Sequence, residues 1–114
     1  RIALYYEKNL SKIKGIRFQQ NTPQAKRIHW LINILVDEKE YGMNRDELAK
    51  KLEEKKIDSR RIFYPMTAMP IYKSAESFPH TEYISKSGLS IPSGTGLQKE
   101  QMDRVIAVIA ENAQ

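Results

Sequence analysis

Apolar residues recur at three- and four-residue spacing from the first turn of the chain. Ile2, Tyr5, Tyr6, Leu10 and Ile13 form one stripe, which predicts a helix over Arg1 to Lys14 stopped by Gly15. Ile16 to Phe18 is a short extended segment, and the polar run QQNTPQAKR, with Pro23 at its centre, reads as a loop. The period then changes to two. Between His29 and Asp37, Trp30, Ile32, Ile34 and Val36 fall on one face, and Leu31, Asn33 and Leu35 fall on the other. One face is wholly apolar and the other nearly so, which predicts a strand covered on both sides. Asn33 then needs a hydrogen-bond partner wherever it is buried.

Charge and a glycine break the pattern over Asp37 to Gly42. Asn44 to Lys56 is a helix with a legible start, because Asn44 and Glu47 have capping-box spacing. Leu48, Leu52 and Ala49 form its inner stripe, while lysines and glutamates face water and the lysines favour the C-terminal end of the dipole. Arg60 to Tyr64 is a second extended segment, ended by Pro65. Pro65 and Pro70 bracket MTAM, so YPMTAMPIY reads as an irregular loop that either folds onto the core or lines a ligand surface. Phe78 to Lys86 is a short helix ending at Gly88, Leu89 and Ile91 mark a third short strand, and Pro92, Gly94 and Gly96 mark a turn. Met102, Val105, Ile106 and Ile109 define a last helix, from about Lys99 to Asn112. The order of elements predicts an α+β fold, a small two-layer arrangement of one sheet and packed helices.

Composition narrows the chemistry. At 114 residues the chain suits one domain, and 40% hydrophobic residues supply a core without staples. It has no cysteine and only two histidines, which excludes a disulfide framework, thiolate zinc, a cysteine nucleophile and a His-rich metal site. No stretch approaches the roughly 18 apolar residues of a membrane helix, and RIALYYEKNL lacks a signal peptide's apolar run, so the expected location is the cytoplasm. The net charge of +5 is concentrated in residues 1–61, where fifteen basic residues face nine acids. Such an excess can attract nucleic acid. Here most cations sit beside acids on helix faces and no aromatics are interleaved with them, so the reading of a free-standing basic nucleic-acid-binding domain stands second.

No P-loop, dinucleotide fingerprint, metalloprotease helix or nucleophile elbow is present. SIPSGTG offers backbone amides to a phosphate but reads first as a plain turn. Asp46 with Glu47, and Glu53 with Glu54, are neighbours on an exposed helix and cannot face each other across a cleft. His29 reads as a partly buried packing residue, and His80 stands at a loop-to-helix junction where it can cap the helix or touch a ligand. Arg60 and Arg61 lead straight into the aromatic loop, where a guanidinium could clamp a phosphate or carboxylate. Strand alternation sends them to opposite faces, so one of the two at most serves a site.

The run KKIDSRRIFYPMTAMPIY, followed by FPHTEYISKSGLSIPSGTGLQKEQMDRVI, resembles the C-terminal segment of the DegT/StrS sugar aminotransferases, and perosamine-synthase-like members in particular. Ile57, Arg60, Tyr64, Pro65, Pro70, Tyr72 and Gly88 to Pro92 fill the family pattern, and upstream Tyr5, Tyr6, Leu10 and Trp30 fit it as well. The sequence departs at Thr67, where many members place His. The resemblance implies the small C-terminal domain of a fold-type-I pyridoxal-phosphate (PLP) enzyme, one that aminates a nucleotide-linked keto-sugar in cell-surface polysaccharide or related biosynthesis. It implies PLP held by an upstream domain that carries the Schiff-base lysine, so no catalytic or cofactor residue is expected within 1–114. It further implies glutamate as amino donor, a homodimer, and a chain that is the tail of a polypeptide of several hundred residues. Residues 1–14 would be the helix leading from the large domain and 15–114 the small domain. Arg60 is the expected contact to an anionic part of the substrate, with Tyr64, Met66 and Thr67 lining the sugar or nucleotide side. A family member that dehydrates its sugar remains the alternative, since that choice depends on an upstream residue.

Overall fold

The computed structural model describes residues 1–73 and 75–114. Along the chain come α1 (Ile2–Leu10), β1 (Ile16–Phe18), β2 (Ile32–Val36), α2 (Glu38–Tyr41), α3 (Arg45–Glu54), β3 (Arg60–Arg61), α4 (Pro79–Ser87), β4 (Gly88–Ile91) and α5 (Lys99–Glu111). The four strands form one antiparallel sheet in the order β1-β2-β4-β3. This is the α+β arrangement that the pattern predicts.

Register decides the two faces. Ile32 is opposite Ile91, Ile34 opposite Leu89, and Val36 opposite Ile16, and all six are buried. Against them pack Tyr6 and Leu10 from α1, Leu48 and Leu52 from α3, and Met102, Val105, Val108 and Ile109 from α5. Leu48 and Leu52 are one turn apart on α3, whose capping box forms as the sequence predicts: the Asn44 side chain accepts from the Asp46 and Glu47 amides, and Glu47 accepts from the Asn44 amide at 2.8 Å. Burying each such aliphatic side chain contributes about 1.5–3 kcal/mol.

The other face is partly polar. It carries Asn33 opposite Ser90, and Leu35 opposite Gly88 and Arg17. Asn33 and Leu35 are half-buried, so β2 is sealed on one side and only partly covered on the other. Asn33 finds its partner in the Ser90 hydroxyl, which donates to Oδ1 at 2.5 Å. Gly88 permits the approach on this side: a Cβ there would stand 2.1 Å from the Ile62 side chain and 2.6 Å from the Ile84 carbonyl oxygen.

Several local expectations change. The first helix ends at Leu10, and residues 11–15 form turns that return Ile13 to the core's edge. Trp30 is not in β2; it is 74% exposed, because β4 ends at Ile91, opposite Ile32, and offers no ladder further out. His29 is exposed as well, contrary to a packing role. Between Asp37 and Gly42 lies the short helix α2, where the sequence pattern showed only a break. Asp37 caps its start by accepting from the Lys39 and Glu40 amides, and Tyr41 enters the core fully buried.

Tyr6 and Tyr41 are both inaccessible to solvent. The Tyr41 hydroxyl donates to the Ile109 carbonyl at 2.6 Å, while the Tyr6 hydroxyl has no partner among the described residues. Burial pushes both phenols up from 10.0 to about 12, because a phenolate is poorly solvated there. The folded chain therefore keeps these two protons to higher pH than the unfolded chain. The associated stability is intact below pH 10 and is lost as pH rises through about 12. In an alkaline titration, two of the six tyrosines should ionise only as the helical circular dichroism collapses. Ionisation of all six with the helical signal intact would contradict the burial.

Candidate functional site

β3 is the element that presents the two arginines. It pairs with β4 through Arg60 opposite Ser90 and Arg61 opposite Leu89, and the ladder is only two residues long. The sequence predicts extension to Tyr64. Pairing stops instead at Ile62, whose amide donates to the Gly88 carbonyl at 3.3 Å, because α4 runs directly into β4 at Gly88 and leaves no strand beyond it.

Alternation separates the arginines as expected. Arg61 shares the core side with Leu89, and its Nε meets Asp46 Oδ1 at 3.1 Å. The same carboxylate oxygen accepts from Arg45 Nε at 2.6 Å. Arg45 is buried and also donates to the Ser85 and Gly88 carbonyls, at 3.2 and 2.8 Å. Arg61 is thus tied through Asp46 to the joint between α3, α4 and β4. Arg60 lies on the opposite face with its side chain 83% exposed, and its nearest carboxylate is that of Asp58, at 3.9 Å and equally exposed. A pair of that kind contributes little. Arg60 is held in place by strand pairing while its guanidinium is free to receive an anion.

Downstream, the chain makes two 3₁₀ turns, Met66–Ala68 and Pro70–Tyr72, closed by amides donating three residues back at 3.0 Å. These are the shortest helical form that the two prolines permit. Of the proposed lining residues, Tyr64 is 66% exposed, Met66 60% exposed and Thr67 half-buried. Phe63, Met69, Ile71 and Tyr72 are exposed beside them. Of the two fates open to this segment, folding onto the core is excluded, since none of its side chains is buried. It is an aromatic- and methionine-rich surface carried on from Arg60.

The other candidates lie exposed on the surface. His80 is exposed in the first turn of α4. Gly94 and Gly96 stand in open space, where an added Cβ meets nothing within 4 Å, so neither glycine is required by packing within the chain. Among the described residues there is no metal-ligating cluster, and no helix is long and apolar enough to cross a membrane.

Covalent attachment of PLP needs an amine that loses its proton readily in a desolvated pocket. No lysine among the described residues is buried. The ammonium of Lys99 is shifted up, first by its hydrogen bond to Asp103 and then by Tyr5, which is the wrong direction for a nucleophile. Among the described residues, no lysine is placed to hold PLP covalently.

Residues 1–110 match the DegT/DnrJ/EryC1/StrS aminotransferase family. The chain is 29% identical over 111 residues to GDP-perosamine synthase of Escherichia coli O157:H7, covering 96% of this chain and 29% of that protein. It is 31% identical over 100 residues to GDP-perosamine synthase of Vibrio cholerae, covering 83% of this chain and 27% of that one. The solved structure of DesV from S. venezuelae, in complex with a ketimine intermediate, superposes with a TM-score of 0.83 at 26% identity, over 96% of this chain and 29% of DesV. The chain thus spans under a third of the length of each of these proteins. By its sequence match over almost its whole length and by its fold, it belongs to the DegT/DnrJ/EryC1/StrS aminotransferase family.

Proposed function

We propose that this chain is the C-terminal domain of a PLP-dependent aminotransferase that replaces the carbonyl oxygen of a nucleotide-linked keto-sugar with an amino group taken from glutamate. The observation that carries the reading is the similarity to two GDP-perosamine synthases across most of the chain. PLP, its lysine and the acid beside its ring nitrogen belong, in this reading, to the large domain that the relatives possess and this chain does not cover. Residues 1–14 lead from that domain, and residues 15–114 form the smaller one. When bound, the cofactor supplies the transfer of the amino group between donor and sugar. This chain's part is to bind and orient. Arg60 receives an anionic group, and Tyr64, Met66 and Thr67 flank the sugar or nucleotide. The exposed surface from Phe63 to Tyr72 is apolar enough to be covered in the assembled protein, in keeping with a homodimer working in the cytoplasm on sugars destined for polysaccharide.

The test is to incubate the full-length protein with PLP, glutamate and nucleotide-linked keto-sugars, and to follow the sugar by mass spectrometry. The expected product carries nitrogen in place of the ketone oxygen, with one 2-oxoglutarate formed per amino sugar. Loss of a hydroxyl without gain of nitrogen would identify a dehydratase instead. Absence of turnover together with steeply salt-dependent DNA or RNA binding would favour the basic-domain reading.

A further inference from the structure

The face of the sheet opposite α1, α3 and α5 carries one polar row. Asn33 of β2 is opposite Ser90 of β4, and Ser90 is opposite Arg60 of β3. With strands about 4.8 Å apart, the Asn33 and Arg60 backbones stand roughly 10 Å from one another, with Ser90 between them. No carboxylate belongs to the row. Ser90 is buried and gives its proton to Asn33 Oδ1 at 2.5 Å, which fixes the carboxamide. The carboxamide NH2 makes no hydrogen bond to the described residues, and Asn33 is only half-buried.

A second cation on the same face shows what a neutralised arginine looks like here. Arg17, opposite Leu35, meets Glu40 at 2.9 Å and Asp37 at 3.4 Å. Arg60 is paired far more loosely, with Asp58 3.9 Å away and both side chains 83% exposed. A strand that is otherwise aliphatic, INILV, thus places an amide donor in the row of Arg60, whose nearest carboxylate stands off at 3.9 Å, and holds it there with a buried hydroxyl. Such a row is complementary to an oxyanion with several acceptor atoms, since a guanidinium and an NH2 group only donate.

We propose that Asn33, positioned by Ser90, is a second donor to the anionic group that Arg60 receives. The inference rests on the reading of the chain as part of a nucleotide-sugar aminotransferase. The oxyanion is then either the diphosphate of the nucleotide-sugar or a carboxylate of the amino donor, and both are recognised by the same chemistry. Asn33 contacts the ligand, whereas Ser90 acts through Asn33 and is a positioning residue.

The experiment uses the full-length protein and its Asn33→Asp, Ser90→Ala, Ser90→Thr and Arg60→Ala variants. GDP and glutamate are titrated separately by calorimetry, and KM is measured for the keto-sugar and for glutamate. Asn33→Asp keeps the side chain's shape and still accepts from Ser90, but it sets a negative charge where an anion is to bind. It should weaken one of the two ligands by about tenfold or more and leave the other unchanged, which identifies the source of the oxyanion. Ser90→Ala should weaken the same ligand to a lesser degree, with recovery in Ser90→Thr. Combined with Arg60→Ala, Asn33→Asp should add less than its separate effect, as expected for two groups on one anion. Unchanged affinity for both ligands in Asn33→Asp, with binding lost in Arg60→Ala, would overturn the proposal alone. Equal weakening of both ligands together with a lowered melting temperature would mark Asn33 as structural and overturn it too. Wild-type protein that binds neither ligand and turns over no keto-sugar would overturn both the proposal and the reading beneath it.

Discussion

Gly15→Ala should destabilise this fold by about 3 kcal/mol, more than most single-methyl additions. Gly15 has a φ of +81°, a conformation that costs a side-chain-bearing residue roughly 1–2 kcal/mol. Space is also lacking, because a Cβ there would lie 2.5 Å from the Tyr41 backbone nitrogen and 2.6 Å from the Tyr41 Cβ. Tyr41 cannot give way readily. Its ring is wholly buried, its hydroxyl is bonded to the Ile109 carbonyl, and its carbonyl accepts from the Gln114 amide at 3.2 Å. The Gly15 carbonyl in turn accepts from the Asp37 amide at 2.8 Å, so a shift of this turn would disturb the cap of α2. Over-packing of this kind adds about 1–3 kcal/mol. Urea unfolding should show a lower midpoint with an unchanged slope. Gly94→Ala, where a Cβ meets open space, should leave the midpoint almost where it was. A Gly15→Ala midpoint close to that of Gly94→Ala would mean that the turn is not held against Tyr41 as the structure has it.

The same turn shows why part of the fold was legible in the sequence. Gly15 punctuates the chain, Asn44 and Glu47 announce α3, and Ile32, Ile34 and Val36 give the alternation of β2, because these signals are local. α2 escaped notice because four residues hold too little periodicity. Its signal lay instead in Asp37 as N-cap and Gly42 as left-handed C-cap, five residues apart. Trp30 fits the alternation of β2, but strand ends are set by how far the neighbour runs, which no local pattern contains. The candidate site divides in the same way. That Arg60 and Arg61 point to opposite faces follows from alternation alone. That Arg61 is the tethered one depends on Asp46 and Arg45, fifteen and sixteen positions earlier and on another element. The pairing of Asn33 with Ser90 spans 57 positions, and the sequence indicated only that Asn33 needed some partner.

In the full-length protein, Arg60→Ala should lower catalytic efficiency by about one to two decades while leaving the fold almost untouched. The loss corresponds to a charge-assisted contact worth roughly 1.5–3 kcal/mol to an anion. The fold should be indifferent because the side chain is 83% exposed and its one near carboxylate is 3.9 Å away. Arg61→Ala is not the silent control that alternation alone suggests. Arg61 shares Asp46 with the buried Arg45, so its removal releases the outer end of β3 from the α3–α4–β4 joint. A partly exposed pair of that kind should cost less than about 1 kcal/mol of stability. It should also lower efficiency by a smaller factor than Arg60→Ala, since Arg61 bears on the substrate only through the strand that carries Arg60. Lys51→Ala removes a charge from an exposed α3 pair with Glu54 at 3.2 Å and serves as the neutral control. Melting temperature and kcat/KM are to be measured for all three. Were Arg60→Ala to lower the melting temperature by several degrees and spare kcat/KM, Arg60 would be a structural residue. Were Arg61→Ala to abolish turnover while Arg60→Ala did not, the anion would belong to the other face of β3.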